Sequence, residues 1–270
     1  MAASNVEQER AALANGIGVN NAPEDDGEPE GAAMTLVEHL EELRHRLFII
    51  VIAVAVASVV AFIFWDPILG FLLTPLPAIA NSLPGHGGAK LIVNGIGEGF
   101  TVALKLAFAV GLGVASPVIL YQIWGFIAPG LTRRERKYAA PFTMIGVGLF
   151  VVGLVVGFVV LRYPVQWLLQ FGQNRFDPLI DAGSYFSFVA FFLLAFGIVF
   201  ELPVVLTFLS LVGAVSSRLL RQKRKYAWFG LWVASCFITP GADPYSPVII
   251  GVAMTALYEI SILLMRAIGK

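Results

Sequence analysis

Two carboxylates and four polar groups inside apolar segments are the residues able to do chemistry in this chain. Glu42 lies in Glu38-His39-Leu40-Glu41-Glu42-Leu43-Arg44-His45-Arg46, and Glu135 lies in Arg133-Arg134-Glu135-Arg136-Lys137. Each stands among arginines at the edge of an apolar segment. A carboxylate can accept two parallel N–H bonds from a guanidinium, so two of them on one rim could grip two arginines. The neighbouring arginines could equally neutralise them, which would leave a solvated helix end and an ordinary basic loop. Within the apolar segments stand Lys105, Gln122, Glu201 and Glu259. An ionisable group in hydrocarbon costs at least about 2.5–3.5 kcal/mol at a helix centre, so each should face other helices or a water-filled concavity. They could pair among themselves as structural glue. Lys105, Glu201 and Glu259 could alternatively mark the path of a small-solute or ion transporter. Glu201-Leu202-Pro203 could instead serve a backbone loosened by the proline.

Other chemistries find little footing. The chain has no GxxxxGK[ST], HExxH or GxSxG string, and its single cysteine, Cys236, excludes an internal disulfide or a cysteine metal cluster. His39 and His45 fall on a surface helix and His86 in a glycine-rich loop. The expectation is a protein that is not an enzyme, with no cofactor, no metal and no nucleic-acid partner.

The elements that must position these groups follow from composition. Of 270 residues, 58% are hydrophobic and 13% charged, with a mean hydropathy of +0.81. A soluble domain carries about 45–50% apolar and 25% charged residues, so this is an integral membrane protein. Residues 1–34 hold Glu7, Glu9, Glu24, Asp25, Asp26, Glu28 and Glu30 against Arg10 alone, with few large apolar side chains. Such a tail cannot bury enough surface to offset chain entropy and reads as disordered, leaving residues 35–270 as the membrane domain. It has no basic start, apolar run or cleavage site of a signal peptide.

Leu36, Leu40, Leu43 and Leu47 recur at helical spacing behind a Thr35/Glu38 capping box, predicting an amphipathic surface helix. Six spans follow: 48–65, 100–128, 138–161, 185–212, 226–239 and 247–265. Asp66-Pro67 should end the first, and residues 67–99 should be a loop. The last two spans are short. A helix of the length of Tyr226–Thr239 rises only about 21 Å against a hydrocarbon core of roughly 30 Å. Positive charge gathers at 44–46, 133–137, 218–225 and 266–270, which puts both termini and both basic loops on the cytoplasmic side. The fold class is all-α and polytopic.

Several strings together carry a family resemblance: HLEELRHR at 39–46, SPVILYQIWGFIAPGLTRRER at 116–136, SYFSF at 184–188, FGIVFELP at 196–203 and TPGADPYS at 239–246. In order and spacing they strongly resemble TatC, the multi-spanning receptor subunit of the twin-arginine protein translocase. The resemblance implies a concave six-helix bundle in the cytoplasmic membrane that binds signal peptides with consecutive arginines. It implies transport of folded cargo driven by the proton-motive force, and oligomeric assembly with single-span TatA/TatB-type partners. The family's signal-peptide-binding positions match Glu42, Arg44, Phe126, Glu135 and Arg136, and its architectural or partner-binding positions match Pro117, Tyr121, Pro129, Thr239 and Asp243. Asn174 stands where many relatives carry an acidic residue, and Pro247 replaces a polar residue seen in some.

Overall fold

The computed structural model describes residues 36–76, 91–127, 139–171, 180–239, 241 and 243–267. The acidic tail, Thr35, Pro129, Asn174 and the first basic loop with Glu135 and Arg136 lie outside them. The chain falls into two units, Met1–Leu40 and Glu41–Lys270. Of the first, only the opening of a helix is described, and the packing below belongs to the second.

Ten helices and two short strands are described. They are α1 (Leu36–Ile63), α2 (Trp65–Leu73), β1 (Leu91–Ile92), α3 (Glu98–Ile127), α4 (Ala139–Val160), α5 (Arg162–Gln170), β2 (Ile180–Asp181), α6 (Ala182–Phe200), α7 (Leu202–Leu211), α8 (Ser217–Gln222), α9 (Arg224–Ile238) and α10 (Tyr245–Ala267). Five stretches are long and apolar enough to cross a membrane: 37–63, 98–127, 141–170, 182–211 and 245–267. The 15 residues of α9 rise about 22 Å, which makes it the shortest of the apolar helices expected to span.

The predicted surface helix runs directly into the first span as one uninterrupted helix, α1. Two boundaries differ from the sequence expectation, each for a backbone reason. Pro67 does not stop the chain, because it sits in the first turn of α2, where a missing N–H costs nothing. Likewise Arg162 and Pro164 open α5 almost in line with α4: Leu161 N–H donates to Gly157 O and Val165 N–H to Leu161 O, at 2.9 and 3.3 Å. The fourth span, by contrast, is broken where Glu201-Leu202-Pro203 predicted a loosened backbone. Glu201 N–H bonds Ile198 O and Val205 N–H bonds Glu201 O, each at 3.0 Å, so the main chain satisfies itself and the Glu201 carboxylate takes no part.

The main core gathers on α6, whose Val189, Phe192 and Phe196 are wholly buried, with Leu161 at the end of α4 and Ile250 on α10. Helix α4 reaches α6 through small residues. A Cβ added at Gly153 would lie 2.6 Å from Phe196 O and 3.0 Å from Gly197 Cα, and one at Gly157 would lie 2.9 Å from Phe196 Cβ. Close backbone approach through small-xxx-small spacing is what drives helix pairing in lipid, where burial against apolar tails gains nothing. A second cluster joins Trp124 of α3, Phe142 of α4 and Val204 and Phe208 of α7, with the Trp124 and Phe208 rings edge-on at 4.5 Å.

Just ahead of α3 and α6, β1 and β2 pair in parallel, Leu91 opposite Ile180 and Ile92 opposite Asp181. Asp181 caps α6 by accepting from Ser184 N–H at 2.7 Å, and Asn94 Nδ2 donates to its other oxygen at 3.0 Å. Glu98 accepts from the backbone N–H groups of Asn94 and Gly95. Hydrogen bonds from Ser184 hold the Asp181 carboxyl below the usual carboxylate range. An apolar groove of about 830 Å³ opens between α2, α3, α4 and α6, lined among others by Phe71, Val110, Pro117, Val151, Phe158 and Leu193.

Candidate functional site

One seam of α1 carries the candidate site. Glu42, Arg46, Ile50, Val54, Ser58 and Ala61 follow one another at three- or four-residue spacing and are the partly or fully buried positions of that helix face. The seam rests on α3. At one point a Cβ on Gly111 would stand 2.2 Å from Ser58 Oγ and 2.7 Å from Ser58 N.

At the other end the polar residues meet. Arg46 Nε and Nη2 both donate to Glu42 Oε1, at 2.9 and 2.6 Å. Its third nitrogen, Nη1, donates to Gln122 Oε1 on α3 at 3.1 Å. The guanidinium lies flush on Gly125, where an added Cβ would come within 2.2 Å of Nη1 and 2.9 Å of Cζ. Glu42 and Arg46 are 19% and 23% exposed, so the pair is largely withdrawn from solvent screening. Glu42 Oε2 is buried and has no hydrogen-bond partner among the described residues. A buried acceptor left open is costly, and it gains more from a new donor than a solvated one would.

The remaining recognition residues distribute around this cluster. Phe126 is half-buried in the last turn of α3, four residues beyond Gln122 and so on the same helix face. Arg44 is exposed and has turned away from the seam. Tyr121 is exposed, and Pro117 lies inside α3 where it lines the apolar groove. Sequence reasoning paired Glu42 with arginines in general but did not single out Arg46 or Gly125. The four-residue step from Glu42 to Arg46 was the available signal.

The other intramembrane polar groups separate. Glu259 on α10 accepts from Arg224 Nη2 at 2.6 Å and from Trp228 Nε1 at 3.1 Å, tying α10 to α9. Glu259 is thus paired with a residue of the second basic cluster and not with another of the four intramembrane polar groups. Glu201 lies against Gly146 of α4, its Oε2 2.9 Å from where a Cβ would stand, and its Oε1 is buried without a partner among the described residues. Lys105, expected to face other helices or a cavity, is instead exposed. It lies about 10 Å along α3 from its start, near enough to the membrane edge for a long side chain to carry its charge outward. No hydrogen bond or ion pair among the described residues joins Lys105, Glu201 and Glu259.

Thr239 and Asp243 do capping work between α9 and α10. Thr239 Oγ1 donates to Cys236 O at 3.2 Å. Asp243, only 3% exposed, accepts from Ser246 N–H at 2.6 Å and from Ser246 Oγ at 2.7 Å. Asp243→Ala strips both bonds from a buried helix start. It is expected to cost about 1–3 kcal/mol, read as a lowered thermal midpoint of the detergent-solubilised chain, with Asp243→Asn retaining part of the loss.

A bundle of long apolar helices, with ion pairs Glu42–Arg46 and Glu259–Arg224 at helix ends and seams, defines a polytopic α-helical membrane protein. The model of the Sec-independent protein translocase protein (TatC) family matches residues 38–252, and the chain belongs to that family. It is a multi-pass membrane subunit of a protein translocase and not an enzyme. It is 39% identical over 240 residues to the TatC protein of Carboxydothermus hydrogenoformans, covering 88% of this chain and 96% of that one. To a TatC protein of Helicobacter pylori it is 36% identical, covering 87% and 88%. A crystal structure described as the twin arginine translocase receptor TatC superposes with a TM-score of 0.73 at 34% identity, over 86% of this chain and all of that one.

Proposed function

We propose that this chain is the receptor subunit of a twin-arginine translocase, binding the consecutive arginines of cargo signal peptides with Glu42 and Glu135 at its cytoplasmic face. The observation that carries the reading is the held carboxylate of Glu42: one oxygen is committed to Arg46, and the other is buried with no hydrogen-bond partner among the described residues. A carboxylate fixed in advance binds a guanidinium without first losing its own rotamer freedom. Glu135 and Arg136 follow α3 in the sequence, and the last turns of α3 hold Gln122, Gly125 and Phe126. Arg44 on the exposed face contributes to the electrostatic setting of the site, while Pro117, Tyr121 and Pro129 serve its architecture. Thr239 and Asp243 frame the surface for single-span TatA/TatB-type partners. Both termini are cytoplasmic, and the proton-motive force drives transport.

Photo-crosslinking from a probe beside the arginine pair of a signal peptide tests this in membranes. Glu42→Lys and Glu135→Lys are each expected to reduce the adduct at least tenfold while the protein accumulates and inserts normally. Undiminished adduct in both variants rules the reading out. Charge reversal at Glu259, which lies in the α9–α10 tie, should destabilise the chain without this selective loss.

A further inference from the structure

Deepening the reading of Glu42 as an arginine acceptor, and resting on it, we infer that Arg46, held by Gln122 and seated on Gly125, is the positioning residue that fixes Glu42 while leaving its second oxygen uncommitted for the incoming guanidinium. Two arrangements were open to this arginine. It could be a placeholder, an internal guanidinium that an incoming arginine displaces, or a permanent brace. The contacts favour the brace. All three of its nitrogens are engaged, two with Glu42 and one with a buried glutamine on another helix. Its planar face lies where a side chain on residue 125 would stand, so glycine there gives it a fitted seat.

The way it grips is the second part of the argument. A bidentate arginine usually takes one bond to each carboxylate oxygen, using up the acceptor edge. Arg46 directs both Nε and Nη2 to Oε1 alone. A carboxylate oxygen has two lone-pair sites, so Oε1 is filled and both sites on Oε2 remain. An i,i+4 pair on an open helix surface is weak and mobile; anchoring the guanidinium on α3 turns it into a fixed support. Arg46 and Gln122 therefore act through Glu42, without contact to the peptide.

The test measures binding of a fluorescent peptide carrying two consecutive arginines to the full chain in nanodiscs. Gly125→Ala and Gln122→Met each leave Glu42 and Arg46 in place, and each is expected to weaken binding at least tenfold. The same peptide with two lysines, which cannot use a planar acceptor edge, should change by less than twofold. In a Glu42→Gln background neither substitution should cost more than a further twofold, because the group they position is already gone. Should Gly125→Ala fail to fold, Gln122→Met alone decides. Unchanged affinity, tighter binding as a displaced placeholder would give, or losses that multiply with that of Glu42→Gln overturn the positioning role. A Glu42→Gln chain that binds as the parent does overturns the arginine-acceptor reading beneath it as well.

Discussion

Gly153→Leu is expected to unfold the bundle at a markedly lower temperature than the parent chain, with a loss at or above the upper end of the ~1–3 kcal/mol that overpacking costs. The reason is that the neighbour in the way is backbone. An added Cβ would meet Phe196 O at 2.6 Å and Gly197 Cα at 3.0 Å, with Phe200 Cβ at 2.9 Å. Flexible side-chain ends can move aside; a carbonyl in the middle of a helix cannot without parting α4 from α6 along its length. Gly197 is confined from the other side, since a Cβ there would come within 2.6 Å of the Phe150 ring. The two helices therefore meet at a double glycine crossing, and Phe192 and Phe196 below it are fully buried only while that crossing is closed. Thermal unfolding in detergent, followed by helix content and aggregation, reads the loss. Gly148→Leu supplies the control, because that glycine lies on the same helix with nothing within 4 Å of its Cβ direction. Equal midpoints for the two variants would show that the crossing does not limit stability.

That crossing was available in the sequence, as Gly153-Leu154-Val155-Val156-Gly157, yet a valine- and glycine-rich run of mean apolar character points equally to any face. Periodicity locates a span well and its contact face poorly when the residues are apolar all round. The same limit explains Lys105: its residue type said that burial would be expensive, but only the helix rotation, exposing residue 105 while burying Val102, Ala103 and Leu106, decides where it goes. Span existence was legible because hydrocarbon thickness imposes length, and the break at Glu201 was legible because Pro203 lacks an N–H. Prolines at positions 67 and 164 misled, since a proline within a helix's first turn and one after it look alike in sequence. Of the candidate site, Glu42 could be singled out as a carboxylate beside arginines at a membrane boundary, and Gln122 as a polar residue in apolar surroundings. Their meeting through Arg46 joins residues 76 positions apart, a pairing that local pattern does not encode.

Gly111→Leu should weaken binding of a twin-arginine peptide at least tenfold, about 1.4 kcal/mol, although residue 111 touches none of the candidate site residues. Helix α1 is held loosely: Val54 and Ala61 are its only buried residues among those described, and most of its apolar side chains are exposed. What seats it is the approach of Ser58 to Gly111, where an added Cβ would overlap Ser58 Oγ at 2.2 Å and the Ser58 backbone at 2.7 and 2.8 Å. A leucine there must lift the seam off α3. Because Glu42 and Arg46 continue the same seam, lifting it also draws Arg46 away from Gln122 and Gly125, and Glu42 loses the support that fixes its carboxylate. The two glycine substitutions should therefore separate by readout. Gly153→Leu lowers the thermal midpoint of the core it closes, whereas Gly111→Leu leaves the α4–α6 crossing intact and chiefly costs affinity. Gly99→Leu, on the same helix with no atom within 4 Å of its Cβ direction, should bind peptide as the parent does. If Gly111→Leu bound peptide equally well while its thermal midpoint fell, the seat of α1 would be a matter of stability alone, and Glu42 would hold its geometry without α3.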